Sequence, residues 1–516
     1  MEWPVPDPTD VAPSRGTDRV PPVLGGPRTG RLTGLDGSFL AYARPRSGAH
    51  ADVGAVLEVR GTPPSVAELR AEIAGRVGAT PGLRWGLGRS GLVRHPRWRP
   101  QRTPDVERLV EHLVPSDGSG EDGLREVLAD LLPQPVPERD PWRISLVTGY
   151  ADDEFAVVVR VRHATHDGVN VVRLLRDVFG EGASPPSAGR AAPRRAGNPW
   201  RGMGIVCRDL LSPTDPAPPL EPAGAPRRWR FADVPLSWLT DLARAAGVTV
   251  NDVFLTAWAI AVTRHLLVRG ERPPAELSLL MPVDTGDGDR PPLGNHLAPV
   301  RVRIPLGDGG ADAADPARLL TTVHALTARI KSTRRAWHVA ALLRLTDFLP
   351  NLVLGLPHHL YCRSRTFHCV VTNLRGPVEP LRVGASGVRR VALLPMTYRA
   401  LGLSVAFAST GGVGTLTVVD TSAADVDGDL PGRWVAALGE LGAALGVETD
   451  QPASPAEAAP PAPSRAVVAT GGSGEPAVDG PPASDTAPPP APGIGTSGDG
   501  AGPGQPLSDT GVAADT

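Results

Sequence analysis

The run Glu154-Phe155-Ala156-Val157-Val158-Val159-Arg160-Val161-Arg162-His163-Ala164-Thr165-His166-Asp167-Gly168-Val169-Asn170-Val171-Val172-Arg173-Leu174-Leu175-Arg176-Asp177-Val178 decides how this chain is read. Its first nine residues are rich in valine and other apolar side chains, which predicts a buried strand. From Asp167 onward, Val169, Val171, Val172, Leu174, Leu175 and Val178 recur at helical spacing, so an amphipathic helix follows. Strand and helix leave Arg162 to Gly168 for a tight turn. A histidine at the end of a buried strand is held rigidly and can face a cleft. His163 is therefore a candidate general base, since a neutral imidazole of pKa ~6.5 can take a proton from a hydroxyl. Asp167 is placed to cap the helix, and Gly168 permits close backbone approach.

Outward from this run the chain is α/β. Residues 32–179 alternate strand-like runs (Val53 to Val59) with helical ones (Ser65 to Val77, Leu124 to Leu132) and form the N-terminal half that carries the turn. Residues 180–226 hold SPPSAGRAAPRRAG and SPTDPAPPLEPAGAP, with a short helix at Trp200 to Leu211, and read as a crossover. Residues 227–447 again mix helices (Leu236 to Ala246, Asn251 to Val268, Pro316 to Arg334) with strands (Leu277 to Met281, Ala298 to Ile304, Leu401 to Ala408, Gly414 to Val419). Each half is expected to be a sheet packed with helices. Residues 1–31 lack hydrophobic periodicity and 448–516 are acidic and dominated by Pro, Ala and Gly, so an arm and a tail without a core are expected at the two ends.

Composition narrows the function classes. A net charge of -2 supplies no basic field, which argues against a nucleic-acid binder. Cys207, Cys362 and Cys369 are too scattered for a disulfide framework, in keeping with a reducing compartment. The start MEWPVPDPTDVAPSRG does not read as a secretory signal, so the cytoplasm is the expected location. The most apolar window, Val253 to Val268, is broken by Thr256, Thr263, Arg264 and His265 and falls short of the ~20 apolar residues of a spanning helix. Membrane contact is expected to be peripheral.

Other candidate ligands have plainer readings. His163-x-x-His166 lacks a third and fourth zinc-like ligand nearby, and the group His358, His359, Cys362, His368 and Cys369 reads as a core or surface cluster, so no metal is expected. Asn251 reads as the N-cap of a helix. Gly411-Gly412-Val413-Gly414 reads as a hairpin turn between strands, not a phosphate loop.

The turn also resembles the H-H-x-x-x-D-G pattern of the bacterial wax ester synthase/diacylglycerol acyltransferases, within the superfamily of chloramphenicol acetyltransferase-like enzymes and peptide-synthetase condensation domains. His163, Asp167 and Gly168 match, and Arg162 stands where the first histidine is expected. The resemblance continues in family order from Leu35-Asp36-Gly37-Ser38-Phe39-Leu40 and Asp140-Pro141-Trp142 to Asn251-Asp252, Met281-Pro282-Val283, Gly294-Asn295 and Thr372-Asn373-Leu374-Arg375-Gly376-Pro377, covering about Leu32 to Val447. It implies two CoA-dependent-acyltransferase-like subdomains around a channel, with His163 as base and Asp167 holding the loop through a salt bridge. Arg162, Asn251 and Asp252 become candidate site contacts. It also implies an O-acyltransferase that uses acyl-CoA as substrate, without a cofactor, and a diacylglycerol or long-chain alcohol as acceptor. Peripheral contact with the inner membrane face or a lipid droplet would follow. Another hydroxyl acceptor on the same fold, or a lipid-binding homologue impaired at Arg162, are the alternatives. Where the family usually carries an arginine after P-V, this chain has Asp284-Thr285-Gly286.

Overall fold

Strand propensity and the alternation of buried positions place, in chain order, β1 (Asp52–Arg60), β2 (Trp85–Leu87), β3 (Trp98–Pro100), β4 (Val110–Leu113), β5 (Trp142–Val147), β6 (Glu154–Arg162), β7 (Arg228–Pro235), β8 (Glu276–Asp284), β9 (Leu297–Pro305), β10 (Cys369–Arg375), β11 (Arg382–Val383), β12 (Ser386–Leu394), β13 (Leu403–Thr410) and β14 (Val413–Asp420). The structure is a computed structural model describing residues 30–447, apart from 43–50, 89–90, 92, 102–103, 117–119, 138–139, 182–196, 218–219, 222–226, 287–290 and 422–428. Most of the expected arm, much of the crossover and the whole tail 448–516 lie outside the described residues.

Two six-stranded mixed sheets, each packed with helices, carry the fold. The first has the order β11-β12-β1-β6-β5-β4, antiparallel except for the parallel pair β4 and β5. The second has the order β7-β14-β13-β10-β8-β9, with β10 parallel to both β13 and β8. The Val157 to Val159 run of β6 lies at the centre of the first sheet and is buried on both faces, which is why it reads as continuous rather than alternating. Behind the second sheet, the helix Val250–Val268 is buried over most of its circumference, so its low amphipathicity marks a core helix. No single described helix is long and apolar enough to cross a membrane; Leu236–Ala246 and Val250–Val268, bent by 99°, meet the length and composition test only as a pair.

Two readings change. The stretch 227–447 does not belong to one sheet, because β11 and β12 leave it to pair with β1 of the first sheet, Val56 opposite Ala392 and Leu57 opposite Val391. Nothing in the periodicity of β12 records which sheet it joins. The N-cap of the long helix is Thr249, not Asn251: Thr249 accepts from Asp252 N, and the Asp252 carboxylate accepts from Thr249 N at 3.0 Å. The turn at Gly411-Gly412 is a hairpin joining β13 to β14, with φ of 58° and 84° at the two glycines. Such positive φ values are why a two-residue loop here takes glycine.

Candidate active site

β6 ends at Arg162, and the turn that follows delivers His163 to the seam between the sheets. The His163 amide donates to the Ala51 carbonyl at 2.7 Å, fixing the backbone. Its ring stacks on Phe39, with centroids 4.0 Å apart and planes within 7°. Phe39 is brought by the helix Gly34–Tyr42, so the LDGSFL segment supplies one wall of the site.

The turn is locked by hydrogen bonds from the other half of the chain. Asp167 caps the helix Gly168–Phe179 by accepting from Asn170 N at 3.0 Å, and its second oxygen accepts from His296 N at 2.8 Å. Gly294 N donates to Thr165 O, and Asn170 Nδ2 donates to Gly294 O. Asn295 donates its Nδ2 both to His163 O at 2.6 Å and to Asp36 Oδ1 at 2.9 Å. Asp36, buried, also accepts from Asn295 N and from Thr33. Three segments far apart in sequence thus meet at one histidine. Asp36 and Asn295 were legible only as matches in family order; their joint role needs the fold.

A narrow cavity of about 60 Å³ lies against His163. Gly54 of β1, Leu393 at the end of β12, Met396 just beyond it, and Thr372 and Leu374 of β10 line it, so both sheets contribute. Its polar side chains are His163, Thr372 and Tyr398. Burial pushes the Tyr398 phenol well above the usual tyrosine range, keeping it a donor. Gly168 faces the same space, and a Cβ there would stand 2.4 Å from Leu374 Cδ1. Among the described residues, the buried atoms His166 Nε2, Asn170 Oδ1 and Asn295 Oδ1 beside this turn have no hydrogen-bond partner.

Burial lowers the pKa of His163, and its own carbonyl, Asp167 and Asn295 oppose that shift without reversing it. Burial likewise lowers His166 to about 4. Both rings are neutral at neutral pH. Protonation of His163 removes the base, and its folded pKa is depressed. The acid limb of kcat/KM is therefore expected below the ordinary histidine value of ~6.5. A pH–rate profile measures this; a limb above that value would contradict the environment described here.

The other expected contacts are not brought to the cavity. The Arg162 guanidinium donates to the Val136 carbonyl at 3.1 Å, beside Asp52, whose carboxyl burial pushes up to about 6 against the pull of Arg160 and Arg162. Asp252 accepts from His324 Nδ1 at 2.9 Å and Thr327 Oγ1 at 2.6 Å, binding the long helix to the helix Pro316–Ser332. Burial pushes the Asp252 carboxyl up, but these bonds and the cap hold it below the usual range. Asn251 accepts from Asn373 Nδ2 at 3.2 Å and does not line the cavity. Among the described residues no group of three or more potential ligands could hold a metal ion. His368 hydrogen-bonds Ser278 N and Asp215 O, whereas His358 stacks on Tyr42 and His359 lies tilted against it.

Comparison with known proteins identifies the family. Residues 32–199 match the wax ester synthase/diacylglycerol acyltransferase catalytic domain, and residues 293–427 match the C-terminal domain of the same family, together more than half of the chain. The chain is 27% identical over 418 residues to the probable diacylglycerol O-acyltransferase tgs1 of Mycobacterium tuberculosis (strain ATCC 25618 / H37Rv), covering 73% of this chain and 87% of that protein. Among solved structures, it is similar to the wax ester synthase/diacylglycerol acyltransferase of Marinobacter aquaeolei VT8, with a TM-score of 0.59 at 18% identity over 81% of this chain and 100% of that one. The trichothecene 15-O-acetyltransferase TRI3 of Fusarium sporotrichioides aligns with a TM-score of 0.57 at 12% identity, over 80% and 94% respectively. At these identities the two structures speak for the fold.

Proposed function

The chain belongs to the wax ester synthase/diacylglycerol acyltransferase family and is an acyl-CoA-dependent O-acyltransferase acting on a lipid hydroxyl; from that premise, we propose that His163 is its general base. The observation that carries the proposal is a buried imidazole stacked on Phe39 at the wall of a cavity between two sheets. His163 takes the proton of the acceptor hydroxyl as its oxygen attacks the thioester carbonyl. The tetrahedral intermediate collapses, the C–S bond breaks, and the proton passes to the leaving thiolate, giving ester and CoA. Thr372 and Tyr398, the hydroxyl-bearing side chains of the cavity lining, are the groups we assign to donate to the oxyanion. Asp167, Asp36 and Asn295 support the turn from outside the cavity lining, and Gly168 leaves room in the cavity beside it.

The two sheets with their helices are read as the two chloramphenicol acetyltransferase-like subdomains, 32–179 and 227–447, with β12 handed from the second to the first. The acceptor is a diacylglycerol or long-chain alcohol, as the names of the relatives indicate, and such acceptors require peripheral contact with a lipid surface. The test is incubation of purified protein with palmitoyl-CoA and either hexadecanol or a diacylglycerol, following thiol release and lipid product. Product is expected with at least one acceptor, and none with either overturns the proposal. Because the Arg162 guanidinium is turned to Val136 and Asp52, Arg162→His is expected to change kcat by less than about threefold. A gain of about tenfold or more would instead mark an enzyme impaired at that position.

A further inference from the structure

One surface is out of keeping with a water-soluble exterior. Between Arg344 and Tyr361 the chain runs through two short 3-10 turns and a helix that expose Leu345, Phe348, Leu352, Leu356 and Leu360, with Phe348 83% exposed. Val93, 70% exposed, adjoins them through the hydrogen bond from Asn351 N to its carbonyl. Scattered apolar side chains are ordinary on a surface, but five exposed ones on three consecutive short elements point to an interaction face.

Charge indicates what it meets. From residue 344 to 365 the only acid is Asp347, and its carboxylate accepts from Gly34 N at 2.5 Å. Arg344, Arg363 and Arg365 are exposed on the same segment, and Arg94 is exposed beside Val93. An apolar face rimmed by arginines matches an anionic lipid surface, where headgroups take the guanidinium groups and acyl chains take the apolar side chains.

Position ties the face to the chemistry. The helix Gly34–Tyr42 lies directly beneath it: a Cβ at Gly37 would stand 2.6 Å from Leu354 Cδ1, and one at Gly355 would stand 3.2 Å from Ala41 Cβ. The same helix presents Phe39 to His163. We propose that the Arg344–Tyr361 face docks on an anionic phospholipid surface, so that a lipid acceptor reaches His163 past the helix Gly34–Tyr42. This deepens, and rests on, the acyltransferase reading above.

The experiment is co-sedimentation of the full chain with vesicles of phosphatidylcholine alone or with one quarter phosphatidylglycerol. It is paired with acyl transfer to a vesicle-embedded diacylglycerol and to a water-soluble short-chain alcohol. Wild type is expected to bind the anionic vesicles more tightly than the neutral ones. Phe348→Ser with Leu352→Ser is expected to weaken that binding by at least about tenfold, because both side chains lose their apolar burial. Both residues are exposed, so the variant's melting temperature should match wild type, and its turnover of the short-chain alcohol should be retained while that of the embedded acceptor falls. Wild type that ignores anionic vesicles, or a double variant that binds as wild type does, overturns the docking face. So does a wild-type dimer that the variant dissolves, which would assign the face to self-association. Vesicle binding is read without turnover, so docking can fail or succeed independently of the acyltransferase chemistry.

Discussion

Replacing His163 with alanine is expected to lower kcat for acyl transfer by about 10²–10⁴-fold, the range a positioned general base supplies. Binding of palmitoyl-CoA should persist, because the cavity walls from both sheets remain. The backbone that presents the ring is held independently of it, by His163 N to Ala51 O and by Asn295 Nδ2 to His163 O, so the turn should keep its course. Loss of turnover with retained acyl-CoA binding, measured by single-turnover kinetics and equilibrium titration, separates a missing base from a collapsed site. Full activity in the variant would remove His163 from the mechanism. Because the depressed pKa already keeps the imidazole neutral near pH 7, raising the pH above 7 should add little to wild-type turnover.

The largest stability effect is expected at Glu58. Glu58 on β1 accepts from Arg390 Nε at 2.6 Å and from Arg389 Nη2 at 2.7 Å, and Arg390 Nη1 reaches Asp233 on β7 at 3.0 Å. Asp233 in turn accepts from Thr415 of β14 at 2.8 Å. This cluster ties β1 and β12 of the first sheet to β7 and β14 of the second. Burial pulls the Arg390 guanidinium down, but the carboxylates of Glu58 and Asp233 more than offset it and hold the charge on. In Glu58→Ala that buried charge loses its principal partner, at a cost of about 3–5 kcal/mol. Denaturant unfolding measures it. Activity should fall as well, since Leu393 at the end of β12 and Met396 just beyond it line the cavity. A change under about 1 kcal/mol would mean that solvent or Asp233 alone satisfies Arg390.

Much of this was legible in the chain. The valine run of β6, the Asp167 cap and the helical spacing after it are local features, dictated by side-chain burial at period two and at 3.6, and each appears where it is read. The glycine pair of the β13–β14 hairpin is local in the same sense, because positive φ selects the residue type. Asn251 was misassigned by two residues, because Thr249 with Asp252 makes a reciprocal cap that Asn251 cannot. Arg162 drew attention by its identity, yet its guanidinium is directed to the Val136 carbonyl and away from the cavity lining.

The sequence by itself determined that a histidine ends a buried strand ahead of a capped helix, and the order of motifs that marks the family. Only the tertiary structure decided that β12 crosses into the first sheet, that Asp36 holds Asn295 where its amide donates to the His163 carbonyl, and that an apolar face with arginines on the same segment lies over the helix carrying Phe39. The reason is physical. Periodicity and capping are settled by neighbours within a few residues, whereas pairing partners, buried hydrogen-bond networks and exposed patches depend on which distant segments the chain brings together.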